Sequence, residues 1–146
     1  MPKYQVTFIL NLVRILFCHQ NFPGQFTHIA EHLASIAGNQ VVSISQPQAK
    51  GLAHVQNLVY KPARLITQNI HHCIVGLESA VLNGQATAKV MGALKQKGFM
   101  PDVVIGHAGW GETLYVNDVF PDTKLINYFE FFITLVGQIP ILTPNF

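Results

Sequence analysis

Charged residues are scarce in this chain of 146 residues: they make up 11% of it, against 49% for hydrophobic residues. The formal net charge is only +2, and no run of lysine and arginine interleaved with aromatic residues occurs. These two absences argue against a nucleic-acid-binding protein. So large an apolar share in a chain of one-domain length predicts that some apolar surface meets a partner or another domain.

Cysteine is also rare in this sequence, and the common catalytic signatures are absent. The two cysteines, Cys18 and Cys73, have neither the number nor the spacing of a disulfide framework or a zinc site, which predicts reduced thiols. The sequence contains no G-x-G-x-x-G, Walker lysine, G-x-S-x-G or H-E-x-x-H motif. A dinucleotide site is therefore disfavoured, and we predict that the protein uses no cofactor.

Long hydrophobic runs are absent too, since none reaches the roughly 18 residues that span a bilayer. Lys3 and the apolar residues 6–13 imitate a signal peptide, but Arg14 follows at once and no small-x-small cleavage site precedes the next strand. We predict a cytoplasmic protein, with peripheral binding at the inner membrane face as an open alternative. Scattered cations do not make the polybasic patch that would support it: Lys61, Arg64, Lys89, Lys95 and Lys97.

Short β-prone runs alternate with helical periodicity along the chain. The runs cover 13–17, 40–45, 54–60, 102–106 and 124–127, and the helical patterns cover 26–37, 71–97 and 113–119. This order predicts an α/β fold, a Rossmann-like parallel sheet flanked by helices. In the first helix the predicted buried stripe is Phe26, Ile29, Ala30, Leu33 and Ala37.

The longest helical pattern, 71–97, carries a second apolar stripe and three glycines. The stripe is formed by Ile74, Leu77, Val81, Ala88 and Met91, widened by Val90 and Leu94. The glycines are Gly76, Gly84 and Gly92. Because each costs about 1 kcal/mol against alanine in a helix, their spacing of eight predicts close packing along one face.

Two polar loops follow predicted strands and should lie at the carboxyl edge of the sheet, where open α/β folds bind ligands. The first holds Pro23 and Gly24, which either let backbone N–H groups approach a phosphate or simply form a turn. The second runs from His107 to Glu112. His107 either binds a sugar hydroxyl and stabilises developing charge or is satisfied by backbone, and Glu112 either orients it or suits the helix dipole.

Three other groups of residues have candidate ligands. His71, His72 and Cys73 resemble a metal cluster, but adjacent residues should point in different directions, so we predict no metal site there. His28 and His32 fit a solvated helix face better than a metal site. Glu130, among aromatic residues after the last strand, is a candidate ligand for an acceptor hydroxyl.

Several motifs together resemble those of bacterial family 4 glycosyltransferases, and the likeness covers residues 14–131. The motifs are RILFCHQNFPGQF, YKPAR and the stretch from ESAVLNGQ through VIGHAGWGE to INYFEF. The resemblance implies the N-terminal, acceptor-binding domain of a GT-B fold, whose C-terminal domain binds a nucleotide-sugar donor. It also implies a retaining transfer without a metal.

By that resemblance Gly24 would lie beside the donor's pyrophosphate, and His107 would be the catalytic residue, near the transferred sugar. The substrate-binding residues that we assign are Phe22, Gly24, Gln25, Gly109, Trp110, Gly111, Glu112 and Glu130. The partners implied are a nucleotide-sugar donor and a sugar-containing acceptor, together with a donor domain that one hypothesis assigns to a separate chain.

The sequence departs from the family pattern at both ends. Residues 1–12 look like an extra segment, 13–132 like the N-terminal domain, and 133–146 like a divergent tail. We therefore expect a truncated or frameshifted domain that is inactive alone and tends to self-associate. The alternative is a sugar-binding or remnant protein without turnover. A receiver domain is disfavoured because no paired-acid cluster follows the first strand.

Overall fold

The computed structural model describes residues 12–129. Of the predicted segments, residues 1–11 and everything from Glu130 onward, including the tail 133–146, lie outside these residues. The described chain contains strands β1 (Arg14–Cys18), β2 (Gln40–Ser45), β3 (Gln56–Val59), β4 (Val103–His107) and β5 (Lys124–Tyr128). Its α-helices are α1 (Thr27–Ser35), α2 (His72–Gln96) and α3 (Val116–Val119), with 3-10 turns at Gly24–Phe26 and Ala108–Trp110.

All five strands are parallel and lie in the order β3-β2-β1-β4-β5, which confirms the predicted α/β Rossmann-like fold. β1 is central, and its apolar run buries side chains on both faces of the sheet. Leu16 and Cys18 belong to one core cluster, which α2 covers, and Ile15 and Phe17 belong to the other, which α1 covers. Burial on both faces explains why β1 shows no alternation of polar and apolar residues.

The buried face of α1 is shorter than the sequence predicts. Phe26 and Ala30 are buried and Leu33 packs against the same cluster, but Ile29 is exposed and the helix ends at Ser35, before Ala37. His28 and His32 are exposed, in agreement with a solvated helix face.

The stripe predicted for α2 is wrong in its first half. Ile74 and Leu77 are exposed, and the buried side of the helix starts at Leu82 and continues through Ala86, Met91 and Leu94. A helix of this length measures about 38 Å, whereas a strand of five residues measures about 17 Å. The first turns of α2 therefore extend beyond the carboxyl edge of the sheet and stand above it.

Only one of the three helix glycines has the close contact that their spacing predicts. A Cβ atom at Gly84 would lie 2.7 Å from the Gly111 carbonyl oxygen, whereas one at Gly76 or Gly92 would meet no atom of residues 12–129 within 4 Å. Gly84 thus marks the point where α2 packs against the loop that follows β4.

Candidate functional site

The two loops that the sequence singled out meet at the carboxyl edge of the sheet. β1 continues to β2 on one side while β4 lies on the other, so the chain diverges between β1 and β4 and leaves a crevice there. His19 directly follows β1 and His107 ends β4, and their ring centroids are 5.7 Å apart. The structure therefore brings the predicted loops together through a pair of histidines.

Both histidine rings are held by the backbone of their own loops. His19 Nδ1 accepts a hydrogen bond from the Asn21 N–H at 3.1 Å, and His107 Nδ1 accepts one from the Gly109 N–H at 3.1 Å. An Nδ1 atom that accepts carries no proton, so the neutral ring holds its proton on Nε2. Each loop thereby fixes the orientation and the tautomer of its histidine.

An aromatic cluster surrounds the pair and consists of Phe26, Trp110 and Tyr128 with the two histidines. The His107 ring centroid lies 6.4 Å from that of Trp110 and 6.1 Å from that of Tyr128, and the His19 ring meets Phe26 edge-on at 5.6 Å. His107 is only 4% exposed, whereas Trp110 is 50% exposed. A ligand therefore meets Trp110 first, and His107 lies in the layer beneath it.

Gly24 supports His19 and does so in a backbone conformation that suits glycine. Its φ is +48°, and a Cβ atom there would lie 2.7 Å from His19 Cε1. Gly111, with φ +96°, packs in the same way against α2, because a Cβ atom would overlap the Ala80 backbone. Gly111 is buried, and its lack of a side chain allows the loop after β4 to approach α2 closely.

Phe22 and Glu112, which we predicted to bind substrate, have side chains that are buried beneath the surface of the site. Phe22 is fully buried and packs on Phe17 with ring centroids 5.5 Å apart. Glu112 is fully buried as well, and its Oε1 accepts a hydrogen bond of 2.6 Å from the Tyr60 hydroxyl. Burial raises the pKa of Glu112, which favours the neutral carboxyl.

The remaining predicted residues are distributed as follows. Gly24, Gln25, Gly109 and Trp110 are exposed at the carboxyl edge. Glu130 lies outside the described residues.

A cavity of about 580 Å³ opens on the other side of Trp110. Loops from β1, β2, β3 and β4 and the overhanging part of α2 form its walls. The residues that line it are Gln20, Gln46, Lys61, Pro62, Ala63, Arg64, Leu65, Ile66, Ser79, Leu82, Asn83 and Trp110. Its size falls within the range of roughly 300–1,000 Å³ that is usual for small-molecule sites.

Hydrogen bonds connect the cavity wall to the loop after β4. Gln46 Nε2 donates to the Tyr60 hydroxyl at 3.1 Å, and that hydroxyl in turn donates to Glu112. Asn83 Nδ2 donates to the Trp110 carbonyl at 3.0 Å. The position of Trp110 is therefore fixed from α2, and the loop that carries it is tied to β2 and β3.

Sequence reasoning missed most of the cavity and one of the two histidines. Only Trp110 among the lining residues was predicted, and His19 was not. His19 had a detectable signal, since it follows β1 as His107 ends β4. No such signal marked Gln20, Gln46 or Asn83, because single amide side chains are common at polar positions that bind no ligand.

A family model described as glycosyl transferase family 4 group matches residues 37–145. The chain belongs to this glycosyltransferase family. The match contains the β4 loop with His107 and Trp110 and all of the cavity except Gln20, while His19 and Gly24 precede it. A comparison with curated proteins finds no match. Membership of the family implies that sugar donors and acceptors are the ligands to consider.

The described residues also contain one group of potential metal ligands. The ligand atoms of His71, His72 and Cys73 lie within 4.8 Å of one another at the exposed start of α2. The expectation that adjacent residues point apart is therefore wrong here, because His71 is an extended N-cap residue that precedes the helix. Among residues 12–129, no helix is long and apolar enough to cross a membrane.

Proposed function

We propose that this domain binds the acceptor sugar for a retaining glycosyltransferase, which uses a nucleotide-sugar donor held by a further domain. The observation that carries the proposal is the cavity beside Trp110, which lies at the carboxyl edge of the sheet in a family 4 glycosyltransferase domain. An aromatic face and amide side chains suit a sugar, because its C–H groups pack on the ring and its hydroxyls bond to the amides.

The histidine pair is proposed as the place where the acceptor cavity meets the donor. Trp110 lines the cavity and also covers His107, so a shift of its exposed ring would open the route between them. The Nε2–H of His107 would then donate a hydrogen bond to the transferred sugar. Departure of a nucleoside diphosphate develops negative charge, which the backbone N–H groups around Gly24 would stabilise.

Trp110 makes the proposal testable, because it is the only tryptophan in the chain. A neutral sugar such as methyl glucoside should change its fluorescence in a saturable way. Gln20→Ala should weaken binding severalfold, since Gln20 lines the cavity. Gln40→Ala is the matched control, because Gln40 lies at the start of β2, at the opposite edge of the sheet. A saturable response that both variants leave unchanged would refute the assignment.

The alternative, a sugar-binding protein without turnover, is favoured by the burial of His107. Release of nucleoside diphosphate from nucleotide-sugars distinguishes the two. We expect the purified chain to bind sugar but to release no nucleoside diphosphate on its own. Release that appears when a donor domain is added, and disappears in His107→Ala, would support the transferase. Absence of release in every such mixture would support the binding protein.

A further inference from the structure

Among residues 12–129, the side chains that line the cavity beside Trp110 include two cations, Lys61 and Arg64, and no carboxylate. Arg64 forms an ion pair with Glu78, in which Arg64 Nη2 lies 2.7 Å from Glu78 Oε1. Glu78 also accepts hydrogen bonds from the hydroxyl and the N–H of Thr67. These contacts lower the pKa of Glu78 to about 2, so the carboxylate stays charged and pairs with Arg64 at neutral pH.

Lys61 has no ion-pair partner in the part of the chain that the structure describes. Within residues 12–129 the ion pairs are Arg14 with Asp102 and Arg64 with Glu78, and neither includes Lys61. Within the described residues, Lys61 is therefore an unpaired positive charge in a cavity that Trp110, Gln20 and Asn83 also line.

The chemistry of the two cationic side chains indicates which type of anion the cavity would bind. A carboxylate is best recognised by the two-pronged guanidinium of an arginine. Both terminal nitrogens of Arg64 are already engaged, because Nη2 donates to Glu78 Oε1 and Nη1 donates to the Leu65 carbonyl and the Thr67 hydroxyl. Lysine binds phosphate as a compact point charge and needs no fixed planar geometry. The free ammonium of Lys61 is thus better suited to a phosphate than to a carboxylate.

We propose that the acceptor of this glycosyltransferase domain carries a phosphate group, which Lys61 binds while the sugar ring lies against Trp110. The proposal rests on the proposed function and adds the chemical class of the acceptor. The phosphate belongs either to a soluble sugar phosphate or to the headgroup of a phospholipid.

The test measures Trp110 fluorescence of the full chain with three probes: glucose 1-phosphate, methyl glucoside and inorganic phosphate. Vesicles of phosphatidylcholine, with and without phosphatidylinositol, provide the lipid arm. The wild type should prefer a phosphorylated ligand in one of these arms. Lys61→Gln should lower the affinity for that ligand about tenfold or more, because a charge-assisted hydrogen bond is lost. It should leave the affinity for methyl glucoside unchanged.

Lys97→Gln is the matched control. Lys97 belongs to a second cavity, of about 390 Å³ at the amino edge of the sheet. Its described lining also contains two lysines and no carboxylate. Phosphate binding that is lost in Lys97→Gln and kept in Lys61→Gln would overturn the proposal. Equal affinity of the wild type for glucose 1-phosphate and methyl glucoside, without a preference among the vesicles, would also overturn it.

The outcomes separate this proposal from the function on which it rests. If methyl glucoside binds and no phosphorylated ligand binds more tightly, the sugar site stands and the phosphate assignment fails. If inorganic phosphate binds as tightly as glucose 1-phosphate and methyl glucoside does not bind, the anion site stands and the sugar site fails. If no probe binds, both fail.

Discussion

At the scale of single residues, the least expected feature is the buried chain from Gln46 through Tyr60 to Glu112. It joins the ends of β2 and β3 to the loop after β4, beneath the cavity. Glu112 Oε2 is buried and accepts or donates no hydrogen bond among the described residues, which is the environment that raises a carboxyl pKa. Burial in the same surroundings also raises the pKa values of the Tyr60 hydroxyl and the Cys18 thiol, and the hydrogen bond to Glu112 raises that of Tyr60 further.

Glu112 should make the protein less stable as the pH rises. Because its pKa in the folded state is raised above the ordinary 4.5, the folded state binds this proton more tightly than the unfolded state does. The stabilisation is present below pH 4.5 and is lost as the pH rises through the folded-state pKa. Glu112→Gln, which resembles the neutral carboxyl, should remove this loss. Urea unfolding between pH 4.5 and 8 measures it.

Glu78→Gln is the control of opposite sign. The pKa of Glu78 is lowered to about 2, so its contribution is present above pH 4.5 and is lost as the pH falls toward 2. The Glu78 variant should therefore keep the loss of stability above pH 4.5. If Glu112→Gln keeps it as well, Glu112 is not its source.

At the scale of secondary structure, the sequence predicted the order of the elements because local patterns encode it. All eight predicted strands and helices exist, and the apolar run of β1 correctly indicated a strand buried on both faces. The stripe on α2 failed for a physical reason. Periodicity assumes that the whole helix is covered by the sheet, whereas the first turns of α2 stand beyond the strand ends.

Gly84 and Gly92 lie on this helix in different surroundings and make a matched pair. Gly84→Ala should destabilise the protein by about 1–3 kcal/mol, because its Cβ would lie 2.7 Å from the Gly111 carbonyl oxygen. Gly92→Ala should stabilise it by roughly 0.5–1 kcal/mol, because its Cβ meets none of the described residues within 4 Å and alanine favours the helix. Thermal unfolding measures both. Equal changes in stability in the two variants would show that the close approach of Gly84 to Gly111 does not determine the effect of the substitution.

At the scale of the whole molecule, the topology determines how much of the site could be predicted. Parallel strands bring their following loops to one edge, so the sequence correctly grouped the Gly24 and His107 loops. The sequence did not show which side chains face outward. Phe22 and Glu112 look like ligands by position but are buried, while Lys61 and Asn83 reach the cavity through the bend after β3 and the overhang of α2.

The two cavities lie at opposite edges of the sheet, so hydrogen exchange can decide between them for the intact chain. A saturating sugar ligand should slow exchange in the loops of the carboxyl edge, 19–26, 46–51, 60–66 and 108–112, because binding suppresses their local opening. Residues 38–41 and 97–102, at the amino edge, should exchange at an unchanged rate. Protection of this second set alone would move the ligand to the cavity lined by Gln40 and Lys97. Only protection at the carboxyl edge fits a ligand that contacts Trp110 and lies within reach of the histidine pair.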